Sequence, residues 1–183
     1  MSRVTGIIYA LDLGVACGFA KGRPGDAPAS GTVRLKDKGE AIDIAFANLI
    51  AFLAEEFTRE KPELLIKEKM LPLQAYASIG NAESTVRAHA GYHAIVEGLC
   101  VRFGIPWDDV AESTARKHFI GRAHLGDRDE TKAAVVQRCH VLGYMPRECT
   151  DDNRADALAT WDYAIAEFGR CPPAKLAMFG ERA

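Results

Sequence analysis

Four acidic residues stand where a chain uses charge rather than hides it. Asp12 closes the apolar run Gly6-Ile7-Ile8-Tyr9-Ala10-Leu11 and is followed by Leu13 and Gly14, and Glu68 closes Leu64-Leu65-Ile66-Lys67. Asp152 and Asp156 lie four apart in a stretch of helical periodicity. Taken singly, each has a plainer reading as a turn or helix cap. Taken together they suggest more. If the two strands are neighbours, their terminal carboxylates meet at one sheet end, and a helix crossing that edge adds the others. Carboxylates crowded in this way repel one another unless cations lie among them. Hard oxygen ligands select Mg²⁺, with Mn²⁺ as a substitute. Two such ions about 4 Å apart suit in-line attack of water on a phosphodiester, with no side-chain nucleophile. A nearby Lys117 or Lys132 would offset charge on the phosphate.

The elements that must position these acids are legible in outline. The run ending at Asp12 reads as a strand buried on both faces. Gly14 permits a reversal into a second strand near 17–21, and a turn rich in Gly and Pro over 22–29 leads to a third over 30–36. Ile42, Phe46, Leu49, Leu53 and Phe57 recur at helical spacing and stop before Pro62. The short run to Glu68 lies between two helices, which requires a crossover and therefore parallel pairing beside the first strand. A long helix over 82–103 and a strand entry near 105–111 follow. Glu112-Ser113-Thr114 is a capping sequence for a short helix, and Asp129 for the next. The last helix carries Ala157, Leu158, Trp161, Ala164, Ile165 and Phe168 on one face, with Asp152, Asn153, Asp156, Thr160 and Tyr163 opposite, and Asp151 or Asp152 as its cap.

Length and composition narrow the classes. At 183 residues, 48% hydrophobic and 26% charged, the chain reads as one globular domain, without the second lobe and phosphate loop of an actin-like ATPase that also opens on Asp-x-Gly. No apolar run has membrane length and no signal-peptide segment opens the sequence, which predicts a cytoplasmic protein. Five cysteines without a Cys-x-x-Cys pair predict reduced thiols rather than a disulfide framework or zinc site. His89 and His93 have metal-ligand spacing but no accompanying acid in the His-Glu-x-x-His manner, so they read as structural. A net charge of −2 excludes a generally basic surface, yet residues 114–138 hold six Arg or Lys against three acids, a candidate basic patch. Within it, residues 121–131 read as a mobile loop.

Three segments carry a family resemblance. Ala10-Leu11-Asp12-Leu13-Gly14 with Gly18-Phe19-Ala20, then Leu65-Ile66-Lys67-Glu68, then Asp152-Asn153-Arg154-Ala155-Asp156-Ala157-Leu158-Ala159 resemble the three acidic motifs of RuvC-type Holliday junction resolvases, within the RNase H-like superfamily. The resemblance spans residues 6–166, and Gly18, six residues beyond Asp12, is spaced as in phage-type relatives. The segment from Leu73-Gln74-Ala75 to Ala90-Gly91 is similar to the family's passage from second motif to dimerisation helix, and Lys117 with 121–132 to its lysine-bearing DNA side.

The resemblance implies an α/β, RNase H-like domain over 1–169, its mixed five-stranded sheet having three antiparallel strands and then parallel ones, with 170–183 as a tail. It implies an endonuclease in which Asp12, Glu68, Asp152 and Asp156, assisted by Lys132, cut branched DNA. Two Mg²⁺ ions would be held by those four acids with Asn153. The family spacing of three places Asn153 opposite Asp156, whereas Asp152 is four away; both reach one helix face, and the choice between them stays open. Arg116, Lys117, Arg122, Arg128 and Lys132 would contact DNA, and a homodimer formed through Ala82–Phe103 would place paired nicks in a four-way junction. The alternatives on the same fold are a broader branched-DNA or flap nuclease and a catalytically silent nucleic-acid-binding module.

Overall fold

The computed structural model describes residues 3–70 and 82–170. The stretch containing Leu73 to Tyr76 and the tail beyond Arg170 fall outside the described residues. Five strands, β1 (Ile8–Asp12), β2 (Ala16–Gly22), β3 (Ala29–Arg34), β4 (Leu64–Glu68) and β5 (Trp107–Val110), form one sheet in the order β3-β2-β1-β4-β5. The first three are antiparallel, and β4 and β5 run parallel to β1. This is the expected mixed sheet, and its order follows from connection length. Tight turns pair β1, β2 and β3, while β4 can join β1 only through helix α1 (Ile42–Arg59).

Because β1 is central and flanked on both sides, its side chains alternate between two cores. Ile8 and Ala10, with Leu64 and Ile66 of β4, face helices α3 (Glu112–Ile120), α4 (Arg128–Leu142) and α5 (Asp152–Phe168). Tyr9 and Leu11, with Leu65, face α1 and α2 (Ala82–Phe103). Leu49, Leu53 and Phe57 of α1 are fully buried, as their spacing predicts, whereas Ile42 and Phe46 are half-buried at its outer end. Asp12 continues the Ile8–Ala10 alternation, and Glu68 that of Leu64 and Ile66. Both acids therefore leave the sheet on the α5 side.

The opposite parity puts Lys67 on the other face, where it is 1% exposed. Its Nζ donates to His93 Nδ1 at 3.0 Å, pairs with Glu97 at 3.2 Å, and lies 4.6 Å from the centre of the Trp107 ring. His93 thus has the structural role its isolation predicts. At Gly91 of α2 the space that a Cβ would take is filled by the Phe46 ring of α1 in the same chain, so the two helices approach closely there.

Two local expectations are corrected. Helix α4 is capped by Asp127, whose side chain accepts from Glu130 N at 2.9 Å, not by Asp129. Helix α3 has Ala111 at its N-cap with no side-chain cap bond, which leaves Glu112 free for another role. On α5, Thr160 and Asp162 are buried, and Asp162 is held by His118 of α3 and by the Tyr144 hydroxyl, which donates to it at 2.8 Å. Asp151 is the α5 cap, accepting from Arg154 N at 3.1 Å. The loop 121–127 is stitched to α4 by Thr131, whose Oγ1 accepts from Leu125 N at 2.9 Å. The described cysteines are free thiols, three of them buried. Among the described residues no helix is long and apolar enough to cross a membrane.

Candidate active site

Three parallel strands end side by side, and each delivers a carboxylate at or just past its C-terminal end. Asp12 is the last residue of β1 and Glu68 the last of β4. Val110, which pairs with Glu68, ends β5, and Glu112 follows two residues later at the first turn of α3. The fourth carboxylate comes from above. Helix α5 crosses β1 and β2, and Asp156 joins Asp12, Glu68 and Glu112 around one small cavity closed by Ala115, Arg116, Ala159 and Thr160. Glu112 was not recognised in the sequence as more than a cap. The signal was available, since it follows the end of β5 as the other acids end β1 and β4.

The approach of α5 depends on Gly18. That residue is the ladder partner of Asp12, and a Cβ there would fall within 3.0 Å of the Asn153 carbonyl. The bare backbone lets the first turn of α5 rest on the sheet beside Asp12.

Burial and mutual repulsion shape the electrostatics. Burial, then the neighbouring Glu68 and Asp156 carboxylates, hold Asp12 well above the usual carboxylate range. Burial, reinforced by Glu112, pushes Glu68 up to about 7, against the pull of a hydrogen bond with Asp12. Crowding of carboxylates in a buried site disfavours their charged forms, and the hydrogen bond joins the two side chains. Asp156 is also raised by burial, although Arg116 opposes the shift. The Arg116 guanidinium reaches Asp156 Oδ2 at 3.0 Å and Oδ1 at 3.3 Å, and it pairs with Glu112 as well.

The sequence-predicted residues divide. Asp12, Glu68 and Asp156 meet. Asp152, one turn before Asp156, instead pairs with Lys132, whose hydrogen bond holds that carboxyl below its usual range. Those two line a separate groove with Asp129, His140 and Thr150. Asn153 donates from Nδ2 to Asp152 Oδ1 at 3.4 Å. Arg116, expected among the DNA-contacting bases, is 6% exposed and lies inside the carboxylate cluster. Lys117, Arg122 and Arg128 are exposed. A larger cavity, about 870 Å³ between the β1–β2 turn and the first turns of α2, contains none of the four clustered acids.

Chemically, the donor set fits a hard divalent cation: carboxylates, hard oxygen donors, at the end of a rigid sheet, with burial and mutual repulsion raising Asp12 and Glu68. Among the described residues, however, no three acidic, histidine or cysteine side chains are already arranged as ligands around one point. Arg116 occupies Asp156 instead.

No family model and no curated protein sequence matches the chain. Solved structures do. The structure of Thermus thermophilus RuvC is similar over 92% of this chain and 99% of its own, with a TM-score of 0.60 and 18% identity. T. thermophilus RuvC in complex with Holliday junction substrate is similar over the same shares, with a TM-score of 0.63 and 16% identity. The yeast mitochondrial Holliday junction resolvase Ydc2 aligns over 92% of this chain and 84% of its own at 14% identity, with a TM-score of 0.41. At these identities the first two establish the fold, which is the RNase H-like fold of RuvC.

Proposed function

We propose that this chain is a metal-dependent endonuclease that hydrolyses phosphodiesters in branched DNA, resolving four-way junctions by paired nicks as a homodimer. The observation that carries this reading is the convergence of Asp12, Glu68, Asp156 and Glu112 at one sheet end, buried and short of positive charge. One neighbour in fold was captured with a Holliday junction substrate, which supports branched DNA as the substrate class.

When bound, two Mg²⁺ ions, or Mn²⁺ in their place, would supply a water of lowered pKa and stabilise the leaving 3′ oxygen. Asp12, Glu68 and Asp156 are the residues that would hold them. Asp152 or Asn153, one turn away on the same helix, would complete the set. Lys132 already stands against Asp152, and its ammonium would meet a phosphate that enters beside them. Lys117, Arg122 and Arg128, exposed on α3, the following loop and the start of α4, would follow the DNA backbone, which fixes position without reading sequence. For the dimer, Ala94, Gly98 and Val101 present an exposed stripe of small and apolar residues at helical spacing on α2.

The test is cleavage of labelled four-way junction, three-way junction, flap and linear duplex with Mg²⁺, with Mn²⁺ and with chelator. Symmetric, metal-dependent nicks confined to the four-way junction are expected. Equal cutting of every branched substrate would make the protein a broader debranching nuclease. Tight binding with no cutting would replace the enzyme by a silent binding module.

A further inference from the structure

Among the described residues lining the carboxylate cavity, Arg116 is the only basic one, in a segment whose other bases, Lys117, Arg122 and Arg128, are exposed. Its side chain is 7% exposed, against 17% for Asp156 and 46% for Glu112. Guanidinium nitrogens contact both oxygens of Asp156, at 3.0 and 3.3 Å, and Nε lies 3.4 Å from Oδ1. With the fork in place the four acids enclose only about 10 Å³, room for one water-sized particle. While the fork engages both oxygens of Asp156, a divalent ion needing six or more oxygens has neither the bidentate edge of that carboxylate nor the room to bind among the acids. Glu112 stands one turn before Arg116 on α3 and already pairs with it. Because Glu112 is partly in water, it offers the guanidinium a second seat without leaving a charge buried and unpaired.

We propose that Arg116 is a built-in counter-ion that closes the cation site, and that divalent loading displaces it from Asp156 onto Glu112. This rests on the metal-dependent reading above. It gives Glu112 a role distinct from that of a ligand: it receives the displaced arginine. Arg116 is then a positioning residue whose presence weakens ion binding, the opposite of what a pin between α3 and α5 or a DNA contact would do.

The experiment is titration of the metal-free full chain with Mn²⁺, with free ion read by electron paramagnetic resonance and no DNA present. Wild type, R116M, R116K, E112Q, R116M/E112Q and D12N are compared, each checked for folding by circular dichroism. R116M is expected to bind Mn²⁺ at least about tenfold more tightly than wild type, equivalent to about 1.4 kcal/mol. R116K keeps the charge but loses the fork and is expected to fall between them, which preserves the test should R116M fail to fold. E112Q is expected to weaken binding several-fold in wild type and much less in the R116M background, since its role passes through the arginine. Unchanged or weaker binding in both Arg116 variants, with wild-type binding saturable and lost in D12N, would overturn the counter-ion and leave the nuclease reading standing. Absence of saturable Mn²⁺ binding from wild type and from both variants would overturn both.

Discussion

Gly18 and Asn153 are in backbone contact: the Asn153 carbonyl occupies the space in which any other residue at position 18 would place its Cβ. Gly18 is also the ladder partner of Asp12. One missing side chain therefore sets the distance between the strand that carries Asp12 and the helix that carries Asp156.

Substituting Gly18 should separate the acids while leaving each of them present. In G18A the new methyl meets a backbone carbonyl inside a helix turn, which cannot yield as a flexible side chain would, so the first turn of α5 must lift. We expect a loss of about 3 kcal/mol in urea denaturation and cleavage reduced by about a hundredfold or more. A G18A protein with wild-type stability and activity would show that this contact does not position α5.

The carboxylate pair predicts an inverted pH dependence for the metal-free protein. Glu68 rises from an ordinary value of 4.5 to about 7 on folding, so between those values the folded state holds more protons than the unfolded one. Stability is then present below 4.5 and falls as pH rises through 7, by on the order of 3 kcal/mol from this group, with Asp12 acting in the same direction. Chemical denaturation at pH 5 and pH 8, with and without Mg²⁺, checks it: the loss at pH 8 should be largely restored by the ion. Asp12→Asn should flatten the slope, abolish cleavage and leave junction binding intact. Cleavage retained in D12N would remove Asp12 from the mechanism.

Sequence patterning carried the architecture because it depends on periods. The apolar runs and connection lengths around β1 and β4 dictated a meander followed by parallel strands, and the acids at those strand ends came with them. What patterning could not supply was set by neighbours distant in sequence. Glu112 resembles any helix-start acid until β5 is seen to end beside β4. Arg116 resembles any surface base until α3 is seen to turn it toward Asp156, on a helix forty residues later. Asp152 shares a helix face with Asp156, but Lys132 of α4 draws it into another groove, a tertiary pairing that no spacing rule contains. Lys67, in a run otherwise apolar, shows no sign in sequence of the His93 and Glu97 partners that make its burial tolerable.

That buried lysine should control a histidine. Burial first, and then the Lys67 charge, lower His93 to about 4, so its ring is neutral and accepts the Lys67 proton. With a folded value below the ordinary 6.5, His93 adds stability that is present above 6.5 and lost as pH falls toward 4. In K67M the charge is gone and the ring loses its donor. Its titration, followed by NMR of the ring protons, should move up by about one unit while burial keeps it below the ordinary value. Stability should drop by about 1 to 3 kcal/mol, since Glu97 and Asp109 are partly solvated and are not left as fully buried charges. A His93 titration unmoved by K67M would mean that burial alone sets it.

Paired nicking requires two copies, and α2 is where they should meet. Gly98 has nothing within 4 Å of the position a Cβ would take, and it lies between exposed Ala94 and the 78% exposed Val101. A side chain added there costs the single chain little beyond helix propensity, so a bulky charge at Gly98 tests the interface without disturbing the fold. Wild type should sediment as a dimer at micromolar concentration. Gly98→Glu should sediment as a monomer with unchanged circular dichroism, because a carboxylate carried into a small-residue interface is buried without a partner. Junction cutting should then fall from two coordinated nicks to single, uncoordinated ones. A Gly98→Glu protein that remains dimeric would move the interface off this face of α2, and a monomeric wild type that still makes paired nicks would show that two chains need not associate before they bind DNA.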